Sequence, residues 1–178
     1  MKSARMIVCE LLEKLEKNAY SNLALDGVLQ SSDVSARDKA FISRLFYGVI
    51  ERKATLDYII SLYSSKQIQK LDTVILETLR MGIYQLLYMD SVPDNAAVNE
   101  SVELVKQLGK KSAAPFVNAV LRSFIRDDKK FALPKDRIQK FCVEYSCSAD
   151  LTKKLIDQYG EDKASEFLKR SLEPHKLY

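Results

Sequence analysis

Residues 70–89 read KLDTVILETLRMGIYQLLYM, a segment whose apolar side chains surround a helical wheel on nearly every side. A helix laid on a protein surface needs a polar face, so a helix without one belongs at the centre of a core. The segment therefore predicts a fold assembled around one buried helix. The stretch that follows, VPDNAAVNESVELVKQLG at 92–109, has a different character. At about 100° per residue, Ala97, Val98, Ser101, Val102, Leu104, Val105 and Leu108 share one arc. Asn99, Glu100, Glu103, Lys106 and Gln107 share the opposite arc. That segregation makes its amides and acids a solvated or docking face rather than a catalytic cluster. Asp94 or Ser91 is expected to cap its start beside Pro93, and Gly109 to end it in the left-handed conformation.

The same helical period runs through the rest of the chain, and no stretch alternates as a strand would. Residues 3–19 put Ala4, Val8, Leu11, Leu12 and Leu15 on one side, with Glu10–Lys14 and Glu13–Lys17 as ion pairs on the other. Ser21 is positioned to cap a short helix, NLALDGVLQ (22–30). Ser35 and Asp38 resemble a capping box, opening a helix that turns Phe41, Ile42, Leu45, Phe46, Val49 and Ile50 inward. TLDYIISLY (55–63) comes before the central helix. APFVNAVLRSFIR (114–126) follows later, with Pro115 suited to a first turn. Charge and Pro134 interrupt the pattern in DDKKFALPKD (127–136), the best boundary candidate. Beyond it, RIQKFCVEYS, ADLTKKLIDQYG and DKASEFLKRSL predict three further short helices. The expected architecture is all-α: a helical bundle over 1–131, and additional short C-terminal helices over 132–178.

A chain of 178 residues can bury roughly 70% of its unfolded surface, so it folds without needing a metal or disulfide. Its 47% hydrophobic and 29% charged residues suit a globular domain. No run of eighteen apolar residues is present, which excludes a helical membrane span. The start, MKSARMIVCELLEKLEK, is interrupted by Glu10 and Glu13 and lacks a small-residue cleavage site, so it is no secretory signal. Cys9, Cys142 and Cys147 are odd in number and poorly spaced for a metal. They read as reduced thiols in a cytoplasmic protein.

The residues that usually carry catalysis are missing or isolated. The sole histidine, His175, lies near the C-terminus, and no serine has a histidine nearby to act as base. Gly27, Gly48, Gly82, Gly109 and Gly160 are scattered, so none forms a phosphate-cradling loop. They suit helix ends or close helix packing instead. No catalytic residue and no metal ligand is assigned. The cations are more informative. Lys2 and Arg5 flank a helix start, Lys110 and Lys111 follow Gly109, and Arg122 and Arg126 are i, i+4 neighbours with Lys129 and Lys130 behind them. Arg37 and Arg44 share a helix face, with Arg52 and Lys53 further along. Phosphate neutralisation supplies much of the affinity of RNA-binding proteins, and the net charge of +4 with pI near 8.8 is compatible with an RNA partner.

Three stretches, DVSARDKAFISRLFYGVIERKATLDYII (33–60), LETLRMGIYQLLYMDSVPDNAAVNESVELVK (76–106) and FVNAVLR (116–122), resemble in order and spacing the NusB-like helical RNA-binding fold. The resemblance covers about residues 3–130. Within it, NAYSNLALDGVL (18–29) and the continuation FCVEYSCSADLTKKLIDQYGEDKASEFLKRSLEPHKLY (141–178) are similar to RsmB-type (Sun/Fmu) ribosomal RNA cytosine-C5 methyltransferases. That resemblance implies an RNA-binding module whose partners are small-subunit ribosomal RNA and the protein's own catalytic domain. S-adenosylmethionine would then be the cofactor of the parent enzyme, and none is expected in this chain. Lys2, Arg5, Lys110, Lys111, Arg122 and Arg126 are the candidate RNA contacts. The alternative is a stand-alone NusB-type antitermination factor that binds leader RNA with a ribosomal protein. Such a factor resembles an arginine-rich N-terminus, where this chain has only Lys2 and Arg5. A third reading is a helical adaptor that binds only protein. The oligomeric state stays open.

Overall fold

A computed structural model describes residues 2–17 and 21–172. The Ser21 cap concerns a side chain outside that description, and His175 lies outside the described residues. The described residues form ten α-helices: α1 (Ala4–Glu16), α2 (Ser21–Gln30), α3 (Ala36–Glu51), α4 (Lys53–Tyr63), α5 (Thr73–Tyr88), α6 (Asp94–Gln107), α7 (Ala114–Arg126), α8 (Arg137–Tyr145), α9 (Ala149–Tyr159) and α10 (Glu161–Ser171). None of them is long and apolar enough to cross a membrane.

The stretch at 70–89 behaves as its pattern requires. Ten consecutive residues of α5, Glu77 to Leu86, are buried, and α1, α3, α4, α6 and α7 all pack on this helix. Its fully buried Leu79 and Ile83 meet Phe46 of α3, Ile59 of α4 and Phe124 of α7 in one core. Each such side chain contributes about 1.5–3 kcal/mol through loss of contact with water. Glycine allows the closest approaches. A side chain at Gly48 would collide with the Tyr84 ring, at 2.0 Å from Cζ, and one at Gly82 would lie 2.9 Å from both methyls of Leu121.

A helix buried all round must also satisfy its polar side chains. Arg80, 4% exposed, donates from Nε and Nη2 to the two carboxylate oxygens of Asp57, at 2.7 and 2.8 Å. Its Nη1 donates to Glu77 Oε1 at 2.5 Å and to Glu16 Oε1 at 3.2 Å, and Lys53 completes the cluster by pairing with Glu16. Burial opposes the guanidinium's charge, yet the surrounding carboxylates hold Arg80 above its ordinary range. At Glu77 burial outweighs the pull of Arg80, and the carboxyl is pushed up.

Several local expectations change. Pro93, not Asp94 or Ser91, is the N-cap of α6, and no side chain caps that end. Proline fixes the entry angle and Asp94 becomes the first helical residue, pairing instead with Lys129 at 3.1 Å. Gly109 is left-handed as expected (φ 79°), with Lys110 N donating to Val105 O at 2.7 Å. Ser35 caps α3 by accepting from Asp38 N at 3.1 Å, but the reciprocal bond runs from Ser35 Oγ to Asp38 Oδ2. Glu13 pairs with Lys17, whereas Glu10 takes Lys2 rather than Lys14. Ile50, expected inward, is 36% exposed, because the buried stripe of α3 closes through Gly48 and Val49 instead.

The last three helices have a smaller core of Phe141, Ile156, Ala164 and Leu168. They are tied to the main bundle at α4. Thr55 Oγ1 donates to Val143 O at 2.5 Å, Ala54 N to Ser146 Oγ at 3.1 Å, and Tyr58 OH to Ala132 O at 2.9 Å.

Asp72 offers a test of local electrostatics. It caps α5 by accepting from Val74 N at 3.0 Å, and it takes a hydrogen bond from Lys110 Nζ at 2.7 Å. The Lys110 bond, then the cap amides, holds its carboxyl below the usual range. A carboxyl depressed by folding stabilises above its unfolded pKa of about 3.9 and loses that contribution as pH falls through the folded value. Asp72→Ala should lower stability by about 1 kcal/mol at pH 7 through loss of the helix cap. The gap to the parent protein should narrow below about pH 4, as urea melts at pH 7 and near pH 3 would read.

Candidate functional site

The six cations singled out from the sequence occupy three separate stations. Lys2 and Arg5 sit at the start of α1. Lys2 is exposed and paired with Glu10 at 2.7 Å. Arg5 is largely enclosed: its Nε donates to Gln85 Oε1 at 2.8 Å, Glu100 lies 3.8 Å from Nη1, and its guanidinium stands 5.0 Å over the Phe41 ring. Burial lowers the Arg5 pKa, and Glu100 partly offsets this. Lys110 and Lys111 form the second station, at the joint between α6 and α7, where Lys110 is engaged by Asp72. Lys111 is exposed and has no ion-pair partner among the described residues.

Arg122 and Arg126 form the third station, on the exposed side of α7. They bond only to neutral neighbours on the same helix, Arg122 Nε to Asn118 Oδ1 at 3.0 Å and Arg126 Nη2 to Ser123 Oγ at 3.1 Å. Eleven residues separate Lys111 from Arg122, about 16 Å along a helix axis. Lys129 and Lys130 behind them are paired with Asp94 and Asp128. The chain thus brings the pairs together two by two, and it does not gather all six into one patch.

A different set of arginines does converge. Arg5, Arg37 and Arg44 line an open groove of about 700 Å³, bounded by the starts of α1 and α3 and by the α5–α6 loop. Phe41 supplies an aromatic wall, while Ser35, Ser91 and Pro93 line the rim. The groove's one acidic side chain, Asp38, is occupied by the Ser35 hydroxyl. Arg44 is oriented by donating from Nη2 to Tyr88 O at 2.6 Å.

The backbone adds to this charge. The first residues of α1 (Ala4 and Arg5), of α3 (Arg37 behind the Ser35 cap) and of α6 (Ala96 behind Pro93) all border the same groove. Helix N-termini carry partial positive charge and unsatisfied amides. No side chain caps the start of α6, so its first amides have no side-chain acceptor. Three arginines and three helix starts, with Asp38 the one acid in the lining and Glu100 engaged by Arg5 from beside it, make a site suited to a polyanion.

Of these residues, Arg5 was read from the sequence as a candidate. Arg37 and Arg44 were visible only as a helix face with i, i+7 spacing. Their convergence with Arg5 depends on α1 and the α5–α6 loop closing beside α3, for which local pattern carries no signal. No group of three or more potential metal-ligating side chains occurs among the described residues.

Comparison with known proteins agrees with this architecture. A model described as the NusB family matches residues 2–126. The chain is 37% identical over 176 residues to the probable ribosomal RNA small subunit methyltransferase B of Bacillus subtilis (strain 168), a match spanning 98% of this chain and 39% of that protein. The chain therefore covers well under half the length of that relative. It is 36% identical over 114 residues to the transcription antitermination protein NusB of Bacillus licheniformis, covering 64% of this chain and 82% of that one. Among solved structures, T. maritima NusB has a TM-score of 0.62 at 26% identity, over 79% of this chain and 99% of that one.

Proposed function

This chain belongs to the NusB family, and from that premise we propose that it is the RNA-binding module of an S-adenosylmethionine-dependent 16S ribosomal RNA cytosine-C5 methyltransferase, acting in the cytoplasm. The single observation that carries RNA binding is the groove where Arg5, Arg37 and Arg44 meet the starts of α1, α3 and α6. Phosphates are drawn to clustered guanidinium groups and helix N-termini, and Phe41 forms the apolar wall over which the Arg5 guanidinium lies. Lys2, outside the groove's lining, would add a phosphate contact by leaving Glu10, while Lys111, Arg122 and Arg126 provide a second set of cations at and along α7. Lys110 can join that set by leaving Asp72.

Two observations support the methyltransferase reading over a stand-alone antitermination factor. The match to the Bacillus subtilis methyltransferase spans 98% of this chain, whereas the family model stops at residue 126. Residues 132–178 then serve as the helical link between the 1–131 RNA-binding bundle and a catalytic domain. The smaller core of Phe141, Ile156, Ala164 and Leu168 and its fixed attachment to α4 suit such a link.

In this reading S-adenosylmethionine belongs to the catalytic domain, while Gly48 and Gly82 of this chain serve close packing beneath Tyr84 and Leu121. The division of labour is physical: this chain holds folded RNA by charge and shape, and base modification belongs to the catalytic domain.

The test is the salt dependence of binding to small-subunit ribosomal RNA fragments. Four to six phosphate contacts give a slope of log affinity against log salt of roughly −3 to −4 for single-stranded RNA. An affinity that stays flat across that range would reject charge-led docking. An antitermination leader RNA competing more strongly than the ribosomal fragment would favour the stand-alone factor.

A further inference from the structure

The C-terminal turn of α8 holds two thiols that the RNA groove does not use. There, Ser146 adopts the left-handed conformation (φ 52°, ψ 45°) and its amide donates to Cys142 O. The amide of Cys147 donates to the same oxygen at 3.2 Å. The bond from the Cys147 amide marks a Schellman turn, a geometry that brings together the side chains of the residue just past the turn and the residue opening the last helical turn. Usually that contact is apolar. Here both residues are cysteines.

The two sulfurs share one partner. Thr152 Oγ1 lies 3.7 Å from Cys142 Sγ and 2.9 Å from Cys147 Sγ. Both cysteines are partly exposed, unlike Cys9, which is buried in the main core. The turn is also firmly held. Serine disfavours the left-handed region, and Ser146 stays there while its Oγ accepts the Ala54 amide, beside the Thr55–Val143 bond. The turn that pairs the thiols is therefore the one that fastens the C-terminal helices to α4.

We propose that Cys142 and Cys147 form a reversible intramolecular disulfide across the end of α8, made and unmade by exchange with a low-molecular-weight disulfide. One protein thiolate attacks a sulfur of the small disulfide, whose S–S bond breaks, and the departing thiolate takes up a proton. The second protein thiol loses its proton and attacks the mixed disulfide, expelling the other small thiol. Two protein S–H groups are oxidised to one S–S bond, and one small disulfide is reduced to two thiols. Burial pushes the Cys147 thiol up, with the neighbouring Cys142 thiol among the groups that raise it. A reduced form that lacks thiolate stabilisation leaves the disulfide comparatively resistant to small thiols. Once closed, the bond pins the last turn of α8 against Ala54 and Thr55. This inference does not depend on the RNA reading.

The experiment equilibrates the purified protein in mixtures of reduced and oxidised glutathione, alkylates the free thiols and digests with trypsin. Phe141–Lys153 is a single tryptic peptide carrying both cysteines, so the internal disulfide appears as one unalkylated peptide lighter by two hydrogen atoms. Cys142→Ser and Cys147→Ser should each accumulate a glutathione adduct on the other cysteine of the pair, which the parent protein resolves. Unfolding in urea should demand a mixture more oxidising by about tenfold, corresponding to roughly 30 mV for this two-electron couple. A parent protein that retains glutathione adducts without closing the loop, or that closes it equally well when unfolded, would overturn the proposal.

Discussion

Arg80→Ala is expected to destabilise the protein by roughly 3–5 kcal/mol, the usual consequence of removing one partner from a buried ion pair. The guanidinium is the common donor to Asp57, Glu77 and Glu16. These carboxylates are not equivalent. Asp57 and Glu16 retain 27% and 35% exposure, so water can solvate them, and Glu16 keeps Lys53. Glu77 is 1% exposed and would be left as an unpaired charge in the core.

Two further results follow from that asymmetry. Adding Glu77→Gln to the Arg80 variant should recover a substantial part of the loss, because a neutral amide is cheaper to bury than an orphaned carboxylate. The deficit should also narrow as pH is lowered. A carboxyl whose folded pKa is raised costs stability while charged, and protonation relieves that cost. Burial already pushes Glu77 upward, and losing Arg80 removes the main charge opposing that push, leaving only the weaker pull of Lys53. Thermal melts of the single and double variants at pH 7 and near pH 5 would check this. A single variant within about 1 kcal/mol of the parent would show that the cluster is not the keystone of α5.

The second large effect concerns the groove. Replacing Arg37 and Arg44 together with alanine should weaken binding to a small-subunit ribosomal RNA fragment by roughly 10- to 100-fold, and should reduce the salt slope by about 1–2, since each lost phosphate contact removes about 0.7. Arg37 is exposed, and Arg44 is exposed while donating to the Tyr88 carbonyl and lying beside Tyr84, so a parent-like melting curve would separate lost binding from lost structure. Lys106→Ala supplies a control, because that lysine pairs with Glu103 away from the groove and its removal should leave affinity within about twofold. Binding that survives loss of both arginines but fails when Lys111, Arg122 and Arg126 are replaced would move the interface to α7.

Much of the fold was legible because helical periodicity is a local property. The segment at 70–89 declared itself central by lacking a polar face, and ten successive residues of α5 are buried. The arc from Ala97 to Leu108 faces inward as its spacing required, with Ala97, Val98, Ser101, Leu104 and Val105 fully buried. Glycine's freedom at positive φ placed the end of α6 at Gly109. Local pattern was less reliable wherever a distant residue competed for the same group. Lys2 displaced Lys14 from Glu10, and Lys129 claimed Asp94.

The sequence by itself determined the helical class, the helix that lies at the core and the family to which the chain belongs, because period and motif spacing are written along one dimension. Only the tertiary structure decided which cations act together. Arg5, Arg37 and Arg44 come from two helices and meet across a groove closed by a third element, while Lys110 is drawn off by Asp72. The polar members of α5 follow the same logic: Arg80 stands 23 residues from Asp57 and 64 from Glu16. Electrostatic energy depends on distance through space, which separation along the chain does not encode.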